Sequence, residues 1–318
     1  MDCEESTINK TQLKGVILLL FTALIWGVSF VSQSAGMEKI EAFTFNGIRT
    51  LMGAAVLFPF IMAKEKMNLI KLDNAQLEKK KALDKKTVRY GAIMGIVFCA
   101  ASNFQQFAFN YSTSGKIAFI TAIYIFFVPL FGLFLKKKVS LLTWVSVVFV
   151  FVGLYFLCID PSNLTGINKG DILAFICAIL FAVHILLVEK YAPDVDGTKL
   201  ACTQFVVSGL ISCVIMFIFE TPDIHAIKST TIPLLYSGVM SCGLAYTFQI
   251  MGKKHTEATI ASILMCMESV FAVIAAAIIL HEFLTERELL GCFIIFAAIM
   301  LSQLSEIVIA KKAKLEIN

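Results

Sequence analysis

Charged side chains are scarce in this chain of 318 residues. Only 16% are Asp, Glu, Lys or Arg, whereas soluble domains contain about 25%. Hydrophobic residues make up 58% of the sequence, and the mean hydropathy is +0.83. The formal net charge is +4, and no basic run carries interleaved aromatic residues. The composition therefore predicts a chain embedded in a lipid bilayer, with no nucleic-acid partner.

The patterns that carry most hydrolytic or metal chemistry are missing. The four histidines form no His-Glu-x-x-His pair, and no Gly-x-x-x-x-Gly-Lys-[Ser/Thr] loop for ATP is present. The nine cysteines contain no Cys-x-x-Cys pair, and most stand singly inside apolar stretches, as small core residues do. We therefore predict that the chain is not an enzyme and has no metal site and no cofactor.

An internal repeat is the main positive feature. The residues from Gly15 to Leu18 and from Ala23 to Trp26 recur, in similar form, 155 residues later. A second set recurs at an offset of 143: Gly95, Gln106, Thr113, Ile117, Ala118 and Ile120 match Gly238, Gln249, Thr256, Ile260, Ala261 and Ile263. The two halves of the chain therefore repeat one structural plan.

The apolar stretches predict ten membrane-spanning helices, because a span needs about 20 mostly apolar residues. The predicted spans are 13–33, 43–63, 88–109, 116–135, 141–159, 170–188, 200–219, 232–251, 258–280 and 288–307. The interval 64–87 is lysine-rich, and we expect a polar loop there. We place the repeat boundary in a turn-forming segment, so that the repeats are 1–160 and 161–318.

Five spans per repeat have a topological consequence. A duplicated bundle with an odd number of helices enters the membrane the second time from the opposite side. We therefore predict an all-α integral membrane protein built from two inverted five-helix repeats. This architecture recurs among secondary transporters.

The lysines and arginines indicate the orientation. With both termini in the cytoplasm, 21 of them lie at or beyond the inner ends of the spans and 5 at or beyond the outer ends, and Arg49 lies within a span. This bias agrees with the positive-inside rule. We predict a multi-pass protein of the cell membrane with cytoplasmic termini.

Three ionisable residues interrupt the apolar spans, where a charge costs about 2.5–3.5 kcal/mol or more. Glu268 either binds a substrate amine or carries a proton, unless it is a structural carboxylate. Arg49 either holds a carboxylate or forms a static interaction near an interface. His184 is either a proton relay or a hydrogen-bonded packing residue.

Further polar and aromatic residues fall at related places in the two repeats. By the 143-residue offset, Asn103 matches Tyr246 and Gln106 matches Gln249, while Asn46 and Gln204 lie near equivalent positions. Such pairs suit a cavity at the repeat interface, although hydrogen bonds between helices explain them equally. Trp26 and Tyr124 are candidates for shaping that cavity.

The same residues resemble the ten-helix EamA-type members of the drug/metabolite transporter superfamily, over about 15–305. The matching segments are 23–30 around Trp26, 45–49 ending in Arg49, 121–129 around Tyr124, 267–272 around Glu268, and 280–285 around Glu282. Ile125 and Ser269 stand where the family often has proline, so the resemblance does not predict helix breaks there. It implies transport of small organic solutes, often outward and often coupled to protons.

These observations favour a secondary transporter with alternating access, exporting a small polar metabolite such as an amino acid. One arginine, one glutamate and several amides suit a zwitterion or neutral solute better than a phosphate-bearing one. A channel, a sensor and a membrane enzyme remain as alternatives. The lipid bilayer and the solute are the expected partners, and the sequence leaves open whether the chain forms a homodimer.

Overall fold

A computed structural model describes residues 10–69, 73–134, 141–159, 167–256 and 258–317. Within these residues all regular structure is helical. Two stretches, Tyr236–Ala245 and Ala276–Leu280, have wider π-helical turns, and Ala192–Asp194 forms a 3₁₀ turn. The helices are α1 (Lys10–Met37), α2 (Ala42–Leu69), α3 (Asn74–Ala108), α4 (Ser114–Ala122), α5 (Tyr124–Phe134), α6 (Leu141–Cys158), α7 (Lys169–Tyr191), α8 (Gly197–Phe219), α9 (Ile224–Ser229), α10 (Thr231–Leu235), α11 (Tyr246–His255), α12 (Ala258–Ala275) and α13 (Glu286–Ile317).

In the described part of the chain, nine helical segments are long and apolar enough to cross a membrane. The pair α4–α5 forms one of them, and α10 joins α11 through the π-helical turns to form another. The tenth span is the second part of α3, whose Asn103, Gln105 and Gln106 make it less apolar than the others.

The packing of α3 shows that it crosses the membrane. Its Tyr90 ring stacks on Tyr191 at 4.1 Å between centroids, at one end of α7. At the other end of α7, a Cβ placed on Gly170 would lie 2.8 Å from the carbonyl oxygen of Ala108. Since α7 is itself a span and α3 follows it throughout, α3 spans the same thickness.

The predicted polar loop at 64–87 is wrong for most of its length. Helix α2 continues to Leu69, and α3 begins at Asn74 with a capping box between Asp73 and Gln76. Lysine, glutamate, glutamine and alanine are good helix formers, so this polar sequence extends the helices beyond the membrane. The predicted boundary between 160 and 161 lies outside the described residues.

Helices α2 and α8 are repeat equivalents and pack against each other in opposite directions. A Cβ on Gly47 would lie 2.7 Å from the Cys213 sulfur, whereas Lys64, near the other end of α2, pairs with Asp196 just before α8. Residue numbers therefore rise along one helix as they fall along the other. Two equivalent helices that run antiparallel require an inverted repeat, so the predicted fold class is confirmed.

Helices of each repeat pack largely against helices of the other repeat. Helix α1 packs mainly on α11 and α12 of the second repeat, and its equivalent α7 packs on α3, α4 and α5 of the first. In the same way α3 packs on α8, while the π-helical turns before α11 pack on α2. Each repeat therefore buries much of its inner surface against the other.

The fourth span is interrupted beside a predicted site residue. Helix α4 ends at Ala122 and α5 begins at Tyr124, with the Ile123 amide donating to the carbonyl oxygens of Ile120 and Thr121. The break occurs although Ile125 replaces the family's usual proline. Helix α12, by contrast, is continuous through Ser269.

Helices α6 and α13 form a close pair with reciprocal contacts. A Cβ on Gly291 would lie 2.7 Å from the Gly153 carbonyl oxygen and 2.7 Å from the Leu157 nitrogen. A Cβ on Gly153 would lie 3.0 Å from the Gly291 carbonyl oxygen and 2.6 Å from the Ile295 side chain. Small residues at both positions allow the two backbones to touch.

This contact predicts that Gly291→Ala destabilises the protein. The added methyl group meets backbone atoms that cannot move aside, so the cost is about 1–3 kcal/mol. The melting temperature of the detergent-solubilised protein should fall by about 2–4 °C per kcal/mol. Gly197→Ala is the matched control, since a Cβ there meets nothing within 4 Å. An equal shift in both variants would contradict the proposed close contact.

Candidate functional site

Aromatic rings from three helices meet where the repeats join. The Trp26 ring of α1 and the Tyr246 ring of α11 pack edge to face, 5.1 Å apart, and Phe205 of α8 packs on Tyr246 at 4.8 Å. The indole nitrogen of Trp26 donates to the Ser241 carbonyl oxygen at 3.2 Å. Trp26 and Tyr246 are each partly exposed.

Arg49 is held in place by a chain of buried amides. Its Nε donates to Asn46 Oδ1 at 2.5 Å, and Asn46 Nδ2 donates to Asn103 Oδ1 at 3.0 Å. Asn103 Nδ2 then donates to Ser212 Oγ at 3.0 Å and to the Cys99 carbonyl oxygen at 2.8 Å. The chain links α2, α3 and α8. Asn46 and Asn103 therefore position Arg49 and do not line an open cavity.

His184 and Gln204 form a second buried polar pair. His184 Nε2 lies 2.9 Å from Gln204 Oε1, and the rings of Phe98 and Phe181 pack around the imidazole. An amide oxygen only accepts hydrogen bonds, so Nε2 carries the hydrogen with the amide in this orientation. The pair is only 6% and 2% exposed, respectively, and connects α7 to α8.

The structure shows which residue of the first repeat is equivalent to Gln204. A Cβ on Gly95 would lie 2.8 Å from the Gln204 carbonyl oxygen, and one on the equivalent Gly238 would lie 3.0 Å from the Arg49 carbonyl oxygen. Gln204 is therefore the counterpart of Arg49, rather than of Asn46. The first repeat contributes a cation at this position and the second a neutral amide.

Glu268 lies on α12 and is partly exposed. Among the described residues its carboxylate has no hydrogen-bond or ion-pair partner. It lies near enough to Tyr124 and Tyr246 to interact with both electrostatically, and Tyr246 also interacts with Arg49. No ion pair joins Arg49 to Glu268, although both are described. An acidic and a basic side chain therefore lie near one tyrosine, without a direct contact between them.

The remaining predicted amides are separate from this group. Gln106 Nε2 donates to the backbone oxygen of Gln33 at 3.2 Å, and the side-chain oxygens of both residues are buried without a partner in the described structure. Gln249 is partly exposed on α11 and makes no hydrogen bond to a described residue. The structure does not bring Gln106 and Gln249 into contact.

Ser212, Ser241 and Gln33 are partners that sequence reasoning missed. Two of them, Ser241 and Gln33, act through backbone carbonyl oxygens that any residue type supplies. No group of three or more His, Cys, Asp or Glu side chains that could bind a metal occurs within the described ranges.

Polar contacts also join α2 and α8 at both of their ends. At one end, Glu220 accepts hydrogen bonds from the Phe43 and Thr44 amides at 2.8 and 2.7 Å, and from the Thr44 hydroxyl at 2.7 Å. We call this the Glu220 end. A cavity of 630 Å³ there is lined by residues that include Glu38, Glu41 and Phe107.

At the other end of the α2–α8 pair, here called the Lys199 end, the contacts are ion pairs. Lys199 binds Glu65 directly and also binds Asp84 Oδ1 at 2.5 Å. Lys80 Nζ lies 3.0 Å from Glu65 Oε1 and 3.1 Å from Asp84 Oδ2. A separate ion pair of 2.5 Å joins Lys64 to Asp196.

The ion pairs remain charged across the physiological pH range. Hydrogen bonds to Glu65 and Asp84 raise the pKa of Lys80, so its stabilising effect is present below about pH 10.4 and is lost as the pH rises through the raised value. Burial raises the pKa of Asp84, but hydrogen bonds from Lys199 and Lys80 outweigh it and leave a lowered value. Its stabilising effect is present above about pH 3.9 and is lost as the pH falls through that lowered value.

Comparison with known proteins identifies the chain. The model of the EamA-like transporter family matches residues 13–159 and again residues 168–304. The chain belongs to the EamA-like transporter family. An uncharacterized transporter of Archaeoglobus fulgidus is 27% identical over 287 residues, which are 90% of this chain and 84% of that protein.

Two further proteins are similar to this EamA-like chain along most of its length. An uncharacterized transporter of Clostridium kluyveri is 24% identical over 299 residues, covering 90% of this chain and 92% of the relative. A protein of known crystal structure superimposes with a TM-score of 0.61 at 14% identity, covering 91% and 96% of the two chains, which shows a shared fold. The protein is a multi-pass membrane transporter.

The amide chain predicts a loss of stability in Asn103→Leu. The substitution removes the buried hydrogen bonds that Asn103 makes with the Asn46 amide and the Ser212 hydroxyl, at a cost of about 1 kcal/mol or more. The melting temperature in detergent should fall by about 2–4 °C per kcal/mol. Asn110→Leu replaces an exposed amide on the same segment and serves as the control. Equal melting temperatures for the two variants would mean that the buried chain does not stabilise the fold.

Proposed function

We propose that this EamA-like protein is a secondary transporter that exports a small zwitterionic or neutral polar metabolite, such as an amino acid or a related compound, in exchange for protons. It works in the cell membrane with both termini in the cytoplasm. The repeats 1–160 and 161–318 rock about a central site formed by Arg49, Glu268 and the aromatic residues.

The proposal rests mainly on the unpaired charges. A charge inside the bilayer without an ionic partner is strongly unfavourable, so Arg49 and an ionised Glu268 each need a neutralising group, which in this proposal comes from outside the chain. A substrate carboxylate matches the planar guanidinium, and a substrate ammonium matches the Glu268 carboxylate. Trp26, Tyr124 and Tyr246 offer the apolar surface that the rest of a small metabolite needs.

Proton coupling follows from the lone carboxylate in this proposal. Glu268 binds either a proton or the substrate ammonium, because one carboxylate has room for one such partner at a time. Proton entry from outside therefore displaces the substrate outward, and loading from the cytoplasm displaces the proton inward. The orientation that sets these directions comes from the distribution of lysine and arginine.

The decisive test is uptake into proteoliposomes of a pooled, labelled set of amino acids and polar metabolites, with and without a pH gradient. Saturable, gradient-dependent accumulation of one compound class supports the proposal and identifies the substrate. Flux that does not saturate would indicate a channel. Binding without flux would indicate a sensor, and chemical conversion of a compound would indicate an enzyme.

For Glu268→Gln we expect loss of gradient-driven accumulation with little change in melting temperature. The amide keeps the shape of the side chain but neither ionises nor pairs with an ammonium. Accumulation is measured across a range of imposed pH gradients. Glu286→Gln, an exposed change of the same kind, should behave as wild type. Wild-type flux and pH dependence in Glu268→Gln would exclude this carboxylate from the mechanism.

For Arg49→Lys we expect a selective loss of affinity. Lysine keeps the charge but not the planar pair of donors, so binding of a transported carboxylate should weaken roughly tenfold. The carboxamide analogue of the same compound should bind both proteins equally. Affinity is measured from ligand-dependent thermal stabilisation, which needs no transport. A similar loss for the carboxylate and the carboxamide would show that Arg49 does not bind the carboxylate.

A further inference from the structure

The two ends of the α2–α8 pair have equivalent positions but different chemistry. Glu65 and Glu220 are separated by the 155-residue repeat offset, and so are Thr44 and Lys199. The Glu220–Thr44 contact at one end is therefore the repeat counterpart of the Glu65–Lys199 contact at the other. In both, a carboxylate at the end of one helix reaches the first turn of its antiparallel partner.

The partners of the two carboxylates differ in charge. Glu220 accepts only neutral donors, two backbone amides and one hydroxyl. Glu65 instead binds the ammonium groups of Lys199 and Lys80. Ion pairs between partly exposed groups are weakened by salt, whereas hydrogen bonds from neutral donors are affected much less.

The ion pairs at the Lys199 end connect the repeats at several points. Lys199 belongs to the second repeat, and its partners Glu65 and Asp84 belong to the first. Lys64 and Asp196 add another link between the repeats, and Lys80 connects Glu65 to Asp84 within the first repeat. The side chains of Lys199, Glu65 and Asp84 are 18%, 26% and 35% exposed, so the cluster lies at the surface yet is partly shielded from water.

We propose that Glu65, Lys80, Asp84 and Lys199 form an ionic latch that holds the Lys199 end closed and opens when the repeats move apart there. The role in gating rests on the proposed function, but the latch itself is tested without a substrate. Glu220 is its non-ionic counterpart. High salt, or loss of the Glu65 or Asp84 carboxylate, should therefore open the Lys199 end and leave the Glu220 end largely unchanged.

Two native cysteines of α8 report separately on the two ends. Cys202 lies one turn after Lys199, and its thiol donates to the Ala54 carbonyl oxygen at 3.6 Å. Cys213 packs on Gly47 towards the Glu220 end. Two proteins are made, each keeping one of these cysteines with the other eight replaced by alanine. The rate of alkylation by N-ethylmaleimide is measured in detergent without a substrate.

Glu65→Gln and Asp84→Asn should each raise the Cys202 rate about three- to tenfold, since each removes partly shielded ion pairs. The Cys213 rate should stay within about twofold of wild type. Glu78→Gln is the matched control, because Glu78 pairs only with Lys81 of its own helix.

An unchanged Cys202 rate in both folded variants would overturn the latch, and so would an equal rise at both cysteines. If the variants do not elute as folded protein, the latch is tested with the two single-cysteine proteins that keep Glu65 and Asp84. Raising NaCl from about 0.1 M to about 1 M shortens the screening length from about 10 Å to about 3 Å. Faster labelling of Cys202 alone supports the latch, and no change at Cys202 overturns it. A labelling response without any transport would contradict only the proposed function.

Discussion

The membrane interior offers no water to satisfy a polar group, and this constraint organises the whole structure. Polar side chains inside the spans must find partners on other helices. Asn46, Asn103 and Ser212 do so in one chain, and His184 and Gln204 do so as a pair. The Asn46–Asn103 and His184–Gln204 bonds join helices within one repeat, and the Asn103–Ser212 bond joins the two repeats. Arg49 and Glu268 are exceptional because their charges remain without ionic partners.

The shared plan of the repeats does not extend to the chemistry of their side chains. Arg49 of the first repeat is opposed by Gln204 in the second, and Asn103 is matched by Tyr246. The two repeats share one order of spans, while residues at equivalent positions differ in charge and in aromatic character. Under the proposed function, this difference would orient a solute whose two ends carry opposite charges.

The inverted repeat and the spans could be predicted because both depend on features that are visible along the linear sequence. Apolar length and a constant offset of Gly15 or Gly95 from its counterpart need no knowledge of contacts. The extension of α3 was missed because polarity alone was interpreted as a loop, although lysine and glutamate favour helices. The break before Tyr124 has no proline to mark it.

The candidate site was predictable by residue type but not by arrangement. Glu268 and Arg49 stand out in any apolar span, because charge there is rare. Whether Asn46 faces a cavity or supports Arg49 depends on the positions of Asn103 and Ser212 on two other helices. That information is three-dimensional, since it arises from the crossing of α2, α3 and α8.

The exchange of helices between the repeats has a consequence for biosynthesis. Helix α1 enters the membrane first, yet its main partners α11 and α12 are made roughly 220 residues later. At about 5–20 residues per second, this interval lasts about 10–45 s. For most of that time Ser32 and the indole of Trp26 lack their final partners Ser237 and Ser241, which belong to the second repeat. These polar groups of the nascent first repeat therefore need other hydrogen-bonding partners, such as the insertion machinery, until the second repeat has been made.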